Sequence, residues 1–490
     1  MRSPQPALLL VLVGVIGAVA PAPATRPIAP ALDDIRIDAL RAYVETLAGD
    51  DFRGRGVGDV GNQKAETYVC DTLTQAGVTP AGAEGSCYQP VDVYRPTLGP
   101  GAHLTVRDED GSTLGEFAAG PDFYPLPETG DRDVTAPLVQ ADGGVGDAVA
   151  LVSTDGDPDP QVAAALLHGA LGAVVVGRYL PQLASVWPAR PSVREATYRL
   201  MTALRSQPAP IVTLSQPAAR PIEAALRAGH RLSATLSPAL VAEPLRIHNV
   251  LGVVEGRDSR HRHELVVVGA HLDHDGVDDA GRIYHGADDN ASGTAAVMAG
   301  AAAFAQAAAH GERPARAVLF ALWNGEEKGE LGAEAFVEAG RPGRRVIANI
   351  NLDMVGRHEE VPDPDDWRFT GFPKIDAASS TNTLHVLGYS YTPELAADVR
   401  QANGAVGLSL KEDYDVGAQD LLHRSDQWPF LRHGIPAVYF TTGLHPDYHT
   451  PSDEPARIDF GKLERVARLA ARTAWIVAER GATPIKRQDQ

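Results

Sequence analysis

The side chains best suited to hold a divalent metal are spread over five short motifs. They are His271 in VVVGAHLDHDG, Asp288 in HGADDNASG, Glu327 in LFALWNGEEKGE, Asp353 in NINLDMVGR and His449 in HPDYHTPSDE. Imidazole nitrogens and carboxylate oxygens are zinc donors, and a catalytic zinc keeps one position for water. Two imidazoles and three carboxylates, one of them bridging, suffice for two neighbouring cations, here two Zn2+. Such a pair activates water for hydrolysis. The motifs assign one metal to His271 and Asp353, the other to Glu327 and His449, with Asp288 as the bridge. Glu326 stands beside a ligand and is free to act as general base, taking the water proton and returning it to a leaving amine. Tyr448 stands beside His449, where its phenol could stabilise an oxyanion. Asp273 lies two residues after His271, on the same side of an extended chain, where it could accept a hydrogen bond from the imidazole. His274 and Asp275 carry no spacing argument and read as loop residues.

Donors this far apart in sequence need a scaffold that brings them to one place. From Arg246 onward, near-continuous apolar runs (NVLGVVEG, ELVVVGAHLD, AVLFALWNG, VIANINLDMV, IPAVYFTTG) alternate with helical patterns. The longest helical patterns are SGTAAVMAGAAAFAQAAAH and KLERVARLAARTAWIVAER. Buried strands separated by helices predict an α/β fold with a mixed, mostly parallel sheet flanked by helices. In such sheets, sites form at the carboxyl ends of the strands. His271, Glu327 and Asp353 each follow a strand, His449 follows the last one after a short loop, and Asp288 precedes the long helix.

The chain has 490 residues, enough for two domains. Its formal net charge of −19 argues against a nucleic-acid partner or an anionic membrane surface. Residues 1–24 have the form of a signal peptide: Arg2, then an apolar stretch from Ala7 to Ala20, then Ala22-Pro23-Ala24 as the cleavage site. The expected location is secreted or periplasmic, with no integral membrane span after signal removal. In an oxidising compartment the two cysteines, Cys70 and Cys87, are candidates for a disulfide, the alternative being two separate thiols.

Residues 113–238 differ from the rest. Turn signals are frequent, short β-like runs lie between them, and none of the five metal motifs falls there. They read as a β-rich module inserted between an N-terminal part (25–112) and the main catalytic part (239–482), with 483–490 as a frayed tail.

GAHLDH, GADDNASG, NGEEKGELGA, NLDMVGR and HTPSDE resemble, in order, the metal motifs of the secreted co-catalytic di-zinc aminopeptidases. That family also includes plasma glutamate carboxypeptidase and glutaminyl cyclases. LAGDDFRGRGVGDVGNQKAETYV is similar to the family's N-terminal helices, and the insert resembles a protease-associated domain in GDAVALVSTDG and HGALGAVVVGR. The resemblance implies a zinc exopeptidase-like fold and a peptide substrate. It also implies the same roles: ligands at His271, Asp288, Glu327, Asp353 and His449, Glu326 as base, Asp273 behind a ligand and Tyr448 at the site. Where family members carry His in SDHxPF this chain has Gln427, a difference expected in the substrate pocket. The implied activity is that of an aminopeptidase. The alternatives are a dipeptidase or carboxypeptidase, then a glutaminyl cyclase, which would need one metal, and last a non-catalytic binding protein.

Overall fold

The computed structural model describes residues 27–481 apart from 127–128, 142–144, 155–157, 178–193, 195–197, 202–208, 342, 364–365 and 418. The expected signal peptide and frayed tail lie outside the described residues. The apolar runs become strands of a ten-stranded mixed sheet. At its centre, Ala317–Trp323, Glu264–His271, Arg345–Leu352 and Ala437–Thr441 run parallel. Leu240–Val254 continues the sheet antiparallel to Ala317–Trp323, and Tyr88–Leu98 pairs with it in turn.

The central strands are buried along their whole length because both faces are covered. Successive side chains alternate between two cores. Val266, Val268, Val318 and Phe320 face the helices Gly293–Ala309 and Phe460–Glu479, together with the N-terminal helices Ile37–Leu47 and Val60–Gln75. Leu265, Val267, Leu319 and Trp323 face the helices Leu331–Ala339 and Gln427–Arg432. The small residues of Gly293–Ala309 let that helix lie close to the sheet. At its start a Cβ on Gly293 would meet the Leu352 carbonyl oxygen at 2.4 Å, so only glycine permits this approach.

A second sheet of eight strands lies within residues 103–237. Helices Asp159–Leu167 and Gln216–Arg227 pack on its two faces, and its central strands alternate between them. Ala150, Val152, Ala173 and Val175 face the first helix, and Leu151, Val174 and Val176 face the second. The module begins earlier than the sequence reading placed it. His103–Asp108 forms a hairpin with Thr113–Ala118 across the DEDGS turn, so a boundary at 113 would cut a paired unit in two. Nor is the insert self-contained: Arg199–Leu200 pairs with Val93–Tyr94 of the main sheet.

Cys70 and Cys87 form a disulfide, joining helix Val60–Gln75 to the chain just before Tyr88–Leu98. The bond spans 17 residues. Its reduction is expected to destabilise the protein by about 3 kcal/mol, through loss of a constraint on the unfolded chain. Denaturant unfolding with and without reductant measures this. No described helix is long and apolar enough to cross a membrane.

Candidate metal centre

The carboxyl ends of the parallel strands carry the donors. His271 is the last residue of its strand, Asp353 follows Leu352, and Glu326 and Glu327 follow Trp323 by one short turn. The loop after Ala437–Thr441 brings His449 over the same edge, where it is partly exposed.

His271, Glu327, Asp353 and His449 converge as expected, but the acid that stands between the two imidazoles is Asp289, not Asp288. The two oxygens of Asp289 face the two imidazoles: Oδ1 lies 3.4 Å from His271 Nε2, and Oδ2 lies 3.1 Å from His449 Nε2. Asp353 Oδ1 is 3.3 Å from His271 Nε2, and Glu327 Oε2 is 3.2 Å from His449 Nε2. Asp288 turns the other way. Its Oδ1 accepts from the Gly356 amide at 2.7 Å, and its Oδ2 lies 3.3 Å from His445 Nε2. Neighbouring residues in a turn point apart, so only one of the pair can enter the centre. The turn that carries the pair is held by Asp453, whose carboxylate accepts the backbone N–H groups of both Asp288 and Asp289.

The donors fit zinc. Two atoms each about 2.0–2.2 Å from one tetrahedral ion lie about 3.3–3.6 Å apart, close to the spacings above. His271 Nε2 and Asp353 Oδ1 are buried and have no hydrogen-bond partner, as expected of atoms whose partner is a metal. His271, Asp289 and Asp353 would hold one ion, and Asp289, Glu327 and His449 the other.

Around the donors lies a shell of orienting contacts. His271 Nδ1 donates to the backbone carbonyl of Asp273 at 3.1 Å, which presents Nε2 to the centre. The Asp273 carboxylate, expected to be that acceptor, is 3.9 Å away from Nδ1. It accepts instead the amides of Glu326 and Glu327, at 3.1 and 3.3 Å, and so fixes the turn carrying both glutamates. Ser425 Oγ donates to Asp353 Oδ2 at 2.8 Å.

His274 and Asp275 are not ordinary loop residues. His274 is fully buried with Nδ1 2.7 Å from Glu327 Oε1. Asp275 Oδ2 lies 3.8 Å from His449 Nδ1 and 3.2 Å from Arg194 Nε. The sequence signal was present: both stand in the same strand-end motif as His271. Gln427 is buried under the site rather than in its wall. Its Nε2 donates to the Leu422 carbonyl at 2.6 Å, and its Oε1 accepts from Asn351 at 3.1 Å.

Sequence reasoning also passed over Arg55. Its guanidinium is buried and donates to the carbonyls of Leu47, Leu272, His285 and Gly286, tying the N-terminal segment to the two loops that carry His271 and Asp289. Burial lowers its pKa to about 10, against the opposing pull of Asp289, Asp453, Asp273 and Glu327. It remains a fixed cation behind an acidic cluster. No motif marks such a residue, because its partners are carbonyls distant in sequence.

Burial drives the Glu326 carboxyl well above its ordinary pKa, and Asp353 and Glu327 push it the same way against His271. Glu327 moves down despite burial, because His449 and His274 lie against it. Two adjacent carboxyls thus differ in proton affinity, the pattern that separates an acid–base group from a ligand. Burial also raises the Tyr448 phenol, which therefore keeps its proton and can donate it in a hydrogen bond.

The proteins this chain is similar to include metalloproteases and aminopeptidases. A probable zinc metalloprotease of Leptosphaeria maculans is 29% identical over 266 residues, covering 49% of this chain and 59% of its own length. A probable leucine aminopeptidase of Trichophyton verrucosum is 32% identical over 240 residues, covering 47% of this chain and 57% of its own length. The chain thus spans little more than half the length of these two relatives. The aminopeptidase from Aneurinibacillus sp. strain AM-1 shares the fold with a TM-score of 0.55 at 18% identity, covering 94% of this chain and 98% of its own. Residues 249–474 match the sequence model of peptidase family M28. This match covers every donor at the centre and the strands that present them, so the part of the chain that builds the centre is similar to peptidase family M28.

Proposed function

We propose that the protein is an exported di-zinc aminopeptidase that removes N-terminal residues from peptides. The observation that carries the reading is Asp289, whose two oxygens lie between the His271 group and the His449 group. A carboxylate so placed suits two ions rather than one. Bound there, zinc would acidify water and polarise the scissile carbonyl.

The chain's own residues supply the rest. Glu326 and Asp353 line the cavity beside the donors and offer negative charge to the substrate's α-amino group. Glu326 takes the proton from water, and its raised affinity lets it hold that proton until it passes to the departing amine. Tyr448 lines the same cavity and donates to the oxygen that gains charge in the tetrahedral intermediate. The leader-like N-terminus and the Cys70–Cys87 bond support export. We read the second sheet as a protease-associated module that shapes access. In support, Arg194, which lies in sequence between two of its strands, pairs with Asp275, and its carbonyl accepts from Lys328 Nζ at 2.6 Å.

The test is one peptide offered with both ends free, N-acetylated, or C-amidated, with products identified by mass spectrometry. Cleavage is expected to be lost on acetylation and kept on amidation. Cleavage of the acetylated peptide with loss on amidation would establish a carboxypeptidase instead.

A further inference from the structure

The cavity beside the metal centre contains a carboxyl group for which the proposed chemistry has no use. The cavity has a volume of ≈ 270 Å³, and Met354, Leu421, Tyr439, Leu444 and Glu330 are among the residues that line it. Among the described residues no cation lies within ion-pair distance of Glu330. Arg432, whose charge acts on it, is bound to Glu334, and Arg424 lines the cavity without pairing with it.

Local structure does not explain a glutamate at this position. Its backbone is left-handed (φ 56°, ψ 29°), a conformation that strains an ordinary L-residue and suits Gly or Asn. It is the N-cap of helix Leu331–Ala339, yet its side chain makes no capping hydrogen bond. A negative charge near a helix N-terminus gains a little from the helix dipole, but burial outweighs that gain and pushes the carboxyl up to about 8. Position 330 thus breaks two local rules in the wall of a substrate-sized cavity, where such breaks mark function. An unpaired acidic group in a cavity that also presents Met354, Leu421 and Leu444 suits a long side chain with an apolar stem and a cationic end.

Resting on the aminopeptidase reading, we propose that Glu330 is a specificity-determining residue that receives the cationic side chain of a lysine- or arginine-type residue at the substrate's N-terminus. The stem packs on Met354, Leu421 and Leu444, and the charged end meets Glu330. A docked cation also removes the cost of burying this carboxylate alone.

The experiment compares lysyl and norleucyl peptides, which differ at the side-chain terminus, on the metal-loaded wild type and on Glu330→Gln. Two quantities are read: kcat/KM for each peptide, and calorimetric affinity for lysinamide and norleucinamide, which needs no turnover. The lysine-to-norleucine ratio is expected to fall about tenfold or more in the variant by both measures. A ratio unchanged within about twofold overturns the proposal, since a lost charge-assisted contact exceeds that. Equal losses for both peptides also overturn it, because they mean that Glu330 serves the α-amino group or the fold. If the wild type cleaves neither peptide, the aminopeptidase reading fails, and the ratio of amide affinities still decides the role of Glu330. Equal binding of the two amides, or binding of neither, counts against it.

Discussion

Glu326→Gln is expected to lower kcat by about a thousandfold while leaving the metal content unchanged. The expectation follows from the turn after Trp323, where two adjacent glutamates are separated in role by geometry. Glu327 Oε2 lies 3.2 Å from His449 Nε2, within the span of two ligands on one ion, whereas Glu326 Oε2 stands 3.8 Å from His271 Nε2 and lines the cavity. Gln keeps the size of the side chain and its hydrogen-bonding reach but cannot take the water proton. Elemental analysis and steady-state kinetics on the same preparation check both halves. An empty centre in the variant would make Glu326 a ligand, and a rate within about tenfold of wild type would place the proton elsewhere, since a general base contributes at least about a hundredfold.

The second large effect separates two neighbouring acids. Asp289→Ala is expected to lose metal at both positions and to abolish measurable activity, because among the described residues its carboxylate is the group that faces both imidazoles. Asp288→Ala is expected to act through stability. It leaves the Gly356 amide and His445 without their carboxylate, at a cost of about 1–3 kcal/mol. At a temperature well below its unfolding midpoint the Asp288 variant should still bind metal. Metal stoichiometry and thermal unfolding of the two variants, side by side, test the assignment. Metal retained by the Asp289 variant and lost by the Asp288 variant would reverse it.

Much of the architecture was legible because the signals are local. ELVVVGAH and AVLFALW are apolar along their whole length, as strands covered on both faces must be, and both became central parallel strands. The hairpin of the second sheet was misplaced because the DEDGS turn marks a turn without saying which strands it joins. Arg199–Leu200 was equally hidden, since a two-residue pairing carries no period. Asp273 was placed in the right region and given the wrong contact. Its side chain reaches the amides of Glu326 and Glu327, an arrangement made by two strand ends meeting, and nothing within VVVGAHLDHDG reports it.

Residue type and order alone determined the donor chemistry, the α/β architecture and the presence of a second β-rich segment, because ligand preference and hydrophobic period reside in short stretches of chain. Only the tertiary structure decided which acid of the Asp288–Asp289 pair faces the two imidazoles, that Arg55 holds the acidic loops together, and that Glu330 stands in the cavity wall. Those outcomes depend on the direction of a side chain leaving an irregular turn. Such a turn is held by partners such as Asp453, more than a hundred residues away.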